Sequence, residues 1–207
     1  MKSIRVAVAA AAAGMALTAC SSPMQAGAAA VVGNERISAS QLNEETRAYV
    51  AALRNAKLPP QLEAALAGRS LEEVLEQESG APANRRVLQR MVEVSAYSQL
   101  MARHNVQVSQ AEIDKIIQSP LGPDGTQYPS AELQLLIGQG AVAPQNAREY
   151  GRALAGLIKL RQQFGGQGGE DRFKKELSTV KVTFSPRFDT LNPRFGKVAE
   201  QQPQQQG

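Results

Sequence analysis

The sequence holds one cysteine, Cys20, which closes the string Leu17-Thr18-Ala19-Cys20 after an apolar Ala/Val/Met run that follows Lys2 and Arg5. A basic start, an apolar stretch of roughly a dozen residues and small residues at a cut are the three parts of a secretory signal. That stretch is short of the about 20 apolar residues a spanning helix needs. The chemistry it supports is acylation of a thiol: the Cys20 sulfur takes a diacylglyceryl group, the bond before it is cut, and the new N-terminus carries the lipid. Each buried methylene contributes about 0.8 kcal/mol, so two or three acyl chains hold a protein stably to a bilayer surface. The string thus reads as a bacterial lipoprotein signal, which places the mature chain on the extracytoplasmic face of a cell membrane, anchored and not spanning. An ordinary signal peptide with a stray cysteine is the plainer alternative.

Other reactive groups are sparse. His104 is the only histidine; it falls at a helix end, where the dipole mildly favours a cation, and nothing near it in sequence completes a catalytic set. The acidic run Glu72, Glu73, Glu76 and Glu78 is the solvated face of a short helix more simply than a metal site. Gly165 to Gly169 follows a helix and lacks a phosphate-binding lysine, so it is not a nucleotide fingerprint. The serines have no second histidine or strand-turn-helix elbow to work with and are caps and loops. The expectation is a protein that is not an enzyme, with no catalytic residue, no metal and no cofactor. The formal charge of +4 falls to +2 once Lys2 and Arg5 are removed, and that small excess argues against dedicated nucleic-acid binding.

Ala, Leu and Gln are plentiful, aromatics are few and tryptophan is absent, a balance that favours helices. Residues 1–19 are the signal peptide and 20–27 a short tether. Residues 28–198 form one domain, and 199–207, AEQQPQQQG, are a polar low-complexity tail. Ala28 to Ile37 reads as a strand, a Gly33-Asn34 turn and a second brief strand. Ser38 with Gln41, Ser70 with Glu73 and Ser109 with Glu112 have capping-box spacing and open three helices. Pro59-Pro60, Gly80 with Pro82, and Pro120 limit them. The strongest helix runs from about Asn84 to Arg103, with Val87, Met91, Val94, Ser98 and Met101 on one stripe and Asn105 as a left-handed cap. Further helices are expected from about Pro129 to Ile137 and from Pro144 to Phe164. Gly165 to Gly169 is expected to break the second of these, and a short helix holding Phe173 and Leu177 follows. Val180, Val182 and Phe184 alternate as in a strand, and a lone strand is unstable, so the two ends of the domain are expected to pair. The fold class is mainly α, a helical domain whose N- and C-terminal short strands pair.

This order and several strings resemble the N-terminal chaperone domain of the SurA family, extracytoplasmic folding factors similar in layout to the PrsA foldases and to trigger factor. The entry AAAVVGNERISASQL is similar to that family's opening strand, turn and first helix. The stretch NRRVLQRMVEVSAYSQLMARHNVQVSQAEIDKII resembles its long core helix, link and next helix start, with Asn105 where glycine is more usual. VKVTFSPRFDTLNPRFGKV resembles the returning strand and its ending. The resemblance spans about Ala28 to Val198. Relatives of SurA and PrsA typically carry a parvulin-type prolyl isomerase domain before the final helix and strand. Here that junction is only Phe164 to Glu170, and one histidine cannot supply the paired histidines of a parvulin pocket.

The resemblance implies a holdase-type chaperone that binds unfolded or exported polypeptides in an apolar groove, without prolyl isomerase activity and without nucleotide. Candidate client-binding residues are Met91, Met101, Leu100 and Tyr97, adaptable side chains on the long helix. Helical spacing makes the core the better reading for Met91 and Met101, whereas Tyr97 and Leu100 lie off that stripe, and one of these two is the better candidate for an exposed patch. The alternative is a lipoprotein subunit that docks one cell-envelope partner, and a less favoured third is a peptidyl-prolyl isomerase. The oligomeric state is not fixed by the sequence.

Overall fold

The computed structural model describes residues 27–122, 125–138, 141–188 and Leu191. Residues 20–26, Cys20 among them, and the 199–207 tail lie outside the described residues. The described chain is mainly helical, with one small antiparallel sheet. Strands β1 (Ala28–Val32), β2 (Glu35–Ser38) and β3 (Val182–Phe184) are ordered β2-β1-β3. The N-terminal strand is therefore central, and the C-terminal one pairs with it in the register Ala30 to Phe184 and Val32 to Val182. This is the expected closure of the two ends, and it places Ala29, Ala30 and Val32 in the core.

Gly33 turns the β1–β2 hairpin with φ 56°, and its lack of a side chain leaves room for Gln99, whose Cδ would lie 3.1 Å from a Cβ there. Gln99 Nε2 in turn donates to Val32 O at 2.8 Å, which ties the hairpin to the long helix.

Helix α1 (Ala39–Asn55) starts at Ser38, whose Oγ accepts from the Gln41 N–H at 3.1 Å, and it buries Leu42, Tyr49 and Leu53. Short helices α2 (Pro60–Leu66) and α3 (Leu71–Ser79) follow. Both bonds of the capping box are made at Ser70 and Glu73, and Gly80 stops α3 at φ 64°. Helix α4 (Ala83–Arg103) runs through the middle of the domain, packed on α1, β1 and the later helices. Asn105 takes the left-handed cap after it, at φ 52°. Helix α5 (Gln110–Ile117) carries the second complete capping box, Ser109 with Glu112. Helix α6 (Ala131–Ile137) is capped by Ser130, and a single 3-10 turn, Pro144–Asn146, leads into α7 (Ala147–Phe164), which packs on α4, α5 and α8 (Gly166–Ser178).

The glycine-rich junction departs from expectation. Only Gly165, at φ 82°, interrupts the helix, and α8 already begins at Gly166. A glycine costs about 1 kcal/mol against alanine inside a helix, and packing compensates at one of these positions. Gly169 is buried, and a Cβ there would sit 3.1 Å from the Phe164 carbonyl carbon, so α8 turns tightly against the end of α7.

A candidate binding groove and its buried polar floor

The four candidate client-binding residues separate once the helix is surrounded. Leu100 is fully buried, at 0 % exposure, and Met101 is 8 % exposed. Of Tyr97 and Leu100, one of which is expected on an exposed patch, Leu100 is ruled out, because α4 is covered on nearly every side and positions off one stripe are buried by a second neighbour. Burying such a leucine contributes about 1.5–3 kcal/mol. Met101 fills the space above Gly156 of α7. Neither side chain is available to a ligand. Met91 and Tyr97 are partly buried and each lines a cavity. The Met91 cavity is small, about 70 Å³, and carries Glu35, Glu45 and Glu149.

Tyr97 lines a larger groove of about 530 Å³ between α4, α5, α7 and α8, within the range of about 300–1,000 Å³ typical of ligand sites. Ile116 of α5, Leu154, Leu157 and Ile158 of α7, Phe173 and Leu177 of α8, and Leu121 just after α5 give it apolar walls. Leu121 is 51 % exposed and Ile158 40 %, the most exposed large apolar side chains among the described residues, and both face this one groove.

Part of the buried lining is polar. Arg90 Nη1 and Glu93 Oε2 of α4 form an ion pair at 2.8 Å, with side chains only 11 % and 5 % exposed. The Arg90 guanidinium lies 4.6 Å from the centre of the Tyr150 ring on α7. Burial pushes the Tyr150 hydroxyl pKa up, against the opposing pull of Arg90 and of a hydrogen bond with Gln134. Two charges taken out of water in this way are tolerable only as a pair with further polar partners.

Beside the groove, Tyr49 Oη donates to Leu136 O at 2.8 Å and accepts from Arg86 Nη1 at 3.2 Å, so α1, α4 and α6 are joined by one phenol. His104 lies away from the groove, after the C-terminus of α4. Its ring meets Phe164 edge-on at 5.0 Å, and its Nε2 is 3.5 Å from Glu176 of α8. The contacts bracket three helix ends together.

Leu121, Ile158 and the Arg90–Glu93 pair were not singled out from the sequence. A large apolar residue inside the Pro/Gly/Asp turn after Pro120 was the available signal for Leu121. Ile158 sits next to Leu157 on α7, about 100° round the helix from it, and nothing in the sequence distinguishes it from the buried residues Ala153 to Leu157 before it. Among the described residues no group of three or more His, Cys, Asp or Glu is placed to hold a metal ion, and no helix is long and apolar enough to cross a membrane. Comparison with protein-family models, curated proteins and solved structures returns no match.

Proposed function

We propose that the chain is a lipid-anchored extracytoplasmic chaperone of holdase type, which shields unfolded or exported polypeptides in the groove between α4, α5, α7 and α8 and catalyses no prolyl isomerisation. The observation that carries this proposal is the convergence of Leu121 and Ile158, the two most exposed large apolar side chains among the described residues, on one open groove. Apolar side chains exposed together mark an interaction surface, whereas scattered ones need no explanation. Tyr97, Ile116, Leu121 and Ile158, the more exposed parts of the wall, offer contact without a fixed pattern of hydrogen bonds, which suits many client sequences better than one. The resemblance of the strand, core helix and returning strand to the SurA chaperone domain supports the same class, and Cys20 supplies the attachment to the membrane. No residue is assigned a catalytic role.

The test is suppression of aggregation of a chemically denatured model protein by the chain from Ser21 onward, at near-equal molar ratio and without nucleotide. Suppression across several unrelated clients is expected. No effect on any of them overturns the holdase proposal in favour of a docking subunit, which is then sought by pull-down from membranes. Acceleration of prolyl isomerisation in a tetrapeptide assay overturns the non-enzymatic part.

A further inference from the structure

The rim of the groove carries an unbalanced charge. Lys115 comes from α5, Arg161 from α7, and Lys174 and Glu170 from α8. Glu170 is the one carboxylate among them, and it is shared, with Oε2 at 3.4 Å from Arg161 Nε and Oε1 at 3.9 Å from Lys174 Nζ. Deeper in, Glu93 is matched by Arg90. Four cations face two carboxylates over the whole lining, an excess of two positive charges. Arg161 is also fixed over an apolar wall, its guanidinium 5.1 Å from the Phe173 ring centre. The cations thus stand at the edges of an apolar trough.

We infer that the groove selects extended segments in which an apolar stretch is flanked by acidic side chains; this rests on the client-binding function proposed above. The apolar stretch lies along Ile116, Leu154 and Ile158, and the flanking carboxylates meet Lys115 at one edge and Arg161 and Lys174 at another. Charge complementarity separates this occupant from the C-terminal segment, since residues 192–207 carry Arg194, Lys197 and a single Glu200 and do not match a cationic rim. Because these rim groups are solvent-exposed, salt weakens their contribution, and they act on selection and encounter rate more than on total affinity.

The test measures fluorescence anisotropy of three peptides that share one Leu/Val/Phe stretch and an uncharged dye but differ in Glu/Asp, Ser/Gln or Lys/Arg flanks. The full acylated chain is carried in phosphatidylcholine nanodiscs, with empty nanodiscs as the blank. The acidic peptide is expected to bind about three- to tenfold tighter than the basic one at low salt, on the scale of a few exposed ion pairs. That ratio should fall toward one at about 0.5 M salt. Lys115→Gln with Lys174→Gln is expected to remove most of the preference while leaving the neutral peptide's affinity and the circular dichroism unchanged. Equal binding of all three peptides, or tighter binding of the basic one, overturns the inference and leaves the client-binding function standing. Binding of none overturns both.

Discussion

Met101 packs directly onto the bare Cα of Gly156, where a Cβ would fall 2.6 Å from Met101 Cε and 2.7 Å from Cγ, and this close approach sets the spacing of α4 against α7. Overpacking a filled core costs about 1–3 kcal/mol. Set against the about 1 kcal/mol that alanine gains over glycine inside a helix, Gly156→Ala is expected to destabilise the fold by up to about 2 kcal/mol, read as a lower urea midpoint. Met101→Ala opens a cavity and costs about 2–5 kcal/mol by itself. Because the new methyl of Gly156→Ala enters that cavity, the double variant should lose less than the two single losses added together. Strict additivity in urea unfolding would show that the two residues do not touch.

Glu93 and Arg90 are expected to depend on each other. Removing one member of a buried ion pair leaves an uncompensated charge and costs about 3–5 kcal/mol, whereas replacing both by apolar side chains of similar volume is close to neutral. Glu93→Ala should thus lower the thermal midpoint far more than the double change Arg90→Met with Glu93→Leu. A surface pair would show almost no loss in either variant.

Local signals in the sequence carried over into the structure where one residue controls its own backbone. The boxes at Ser70 with Glu73 and Ser109 with Glu112 form, Asn105 takes a positive φ, and β1 pairs with β3. The Ser38 cap forms as a single bond to the Gln41 N–H. What the sequence left hidden depends on neighbours far along the chain. Leu100 is buried because α4 is covered on several faces, and Gly166 can begin a helix because Gly169 fits against α7. The Arg90–Glu93 spacing is that of an ordinary surface pair until α7 covers it. The groove draws on four helices, so no short window of sequence displays it.

Glu112 should give stability at α5 a visible acid limb. Its carboxylate is held down to about 2, first by Lys159 and then by the Ser109 backbone and hydroxyl, with Lys159 Nζ 2.8 Å from Glu112 Oε1 and the Ser109 N–H 2.7 Å from Oε2. A carboxylate whose folded pKa lies below its unfolded value stabilises the fold above the ordinary range and loses that contribution as pH falls through the folded value. The urea midpoint should decline from about pH 4.5 toward pH 2. In Glu112→Gln the decline over that window should be shallower.

Glu45 has the opposite sign. Burial first, and then the nearby Glu149 and Glu44, raise its pKa, and its carboxylate accepts from Asn146 Nδ2. A group that holds its proton more tightly when folded makes the fold less stable as pH rises from the ordinary carboxylate range through the raised value. Glu45→Gln keeps the acceptor and removes the charge. It should raise the thermal midpoint at pH 7 and leave it unchanged near pH 4; no gain at pH 7 would mean that neither burial nor the neighbouring carboxylates penalise the charge there.

Substitutions at Leu121 and Ile158 would separate the proposed client capture from folding. Both are half exposed or nearly so, so Leu121→Ser and Ile158→Ser should shift stability by no more than about 0.5 kcal/mol, as surface substitutions do. They should nevertheless reduce aggregation suppression, and the pair together more than either alone, because each removes apolar wall from the same groove. Leu100→Ala should do the reverse, costing about 2–5 kcal/mol through the cavity it leaves while suppression per folded molecule stays the same. Measuring both properties on all three variants places the binding surface. If Leu100→Ala impaired capture at temperatures where it remains folded, and the groove substitutions did not, clients would engage the protein somewhere other than between α5, α7 and α8.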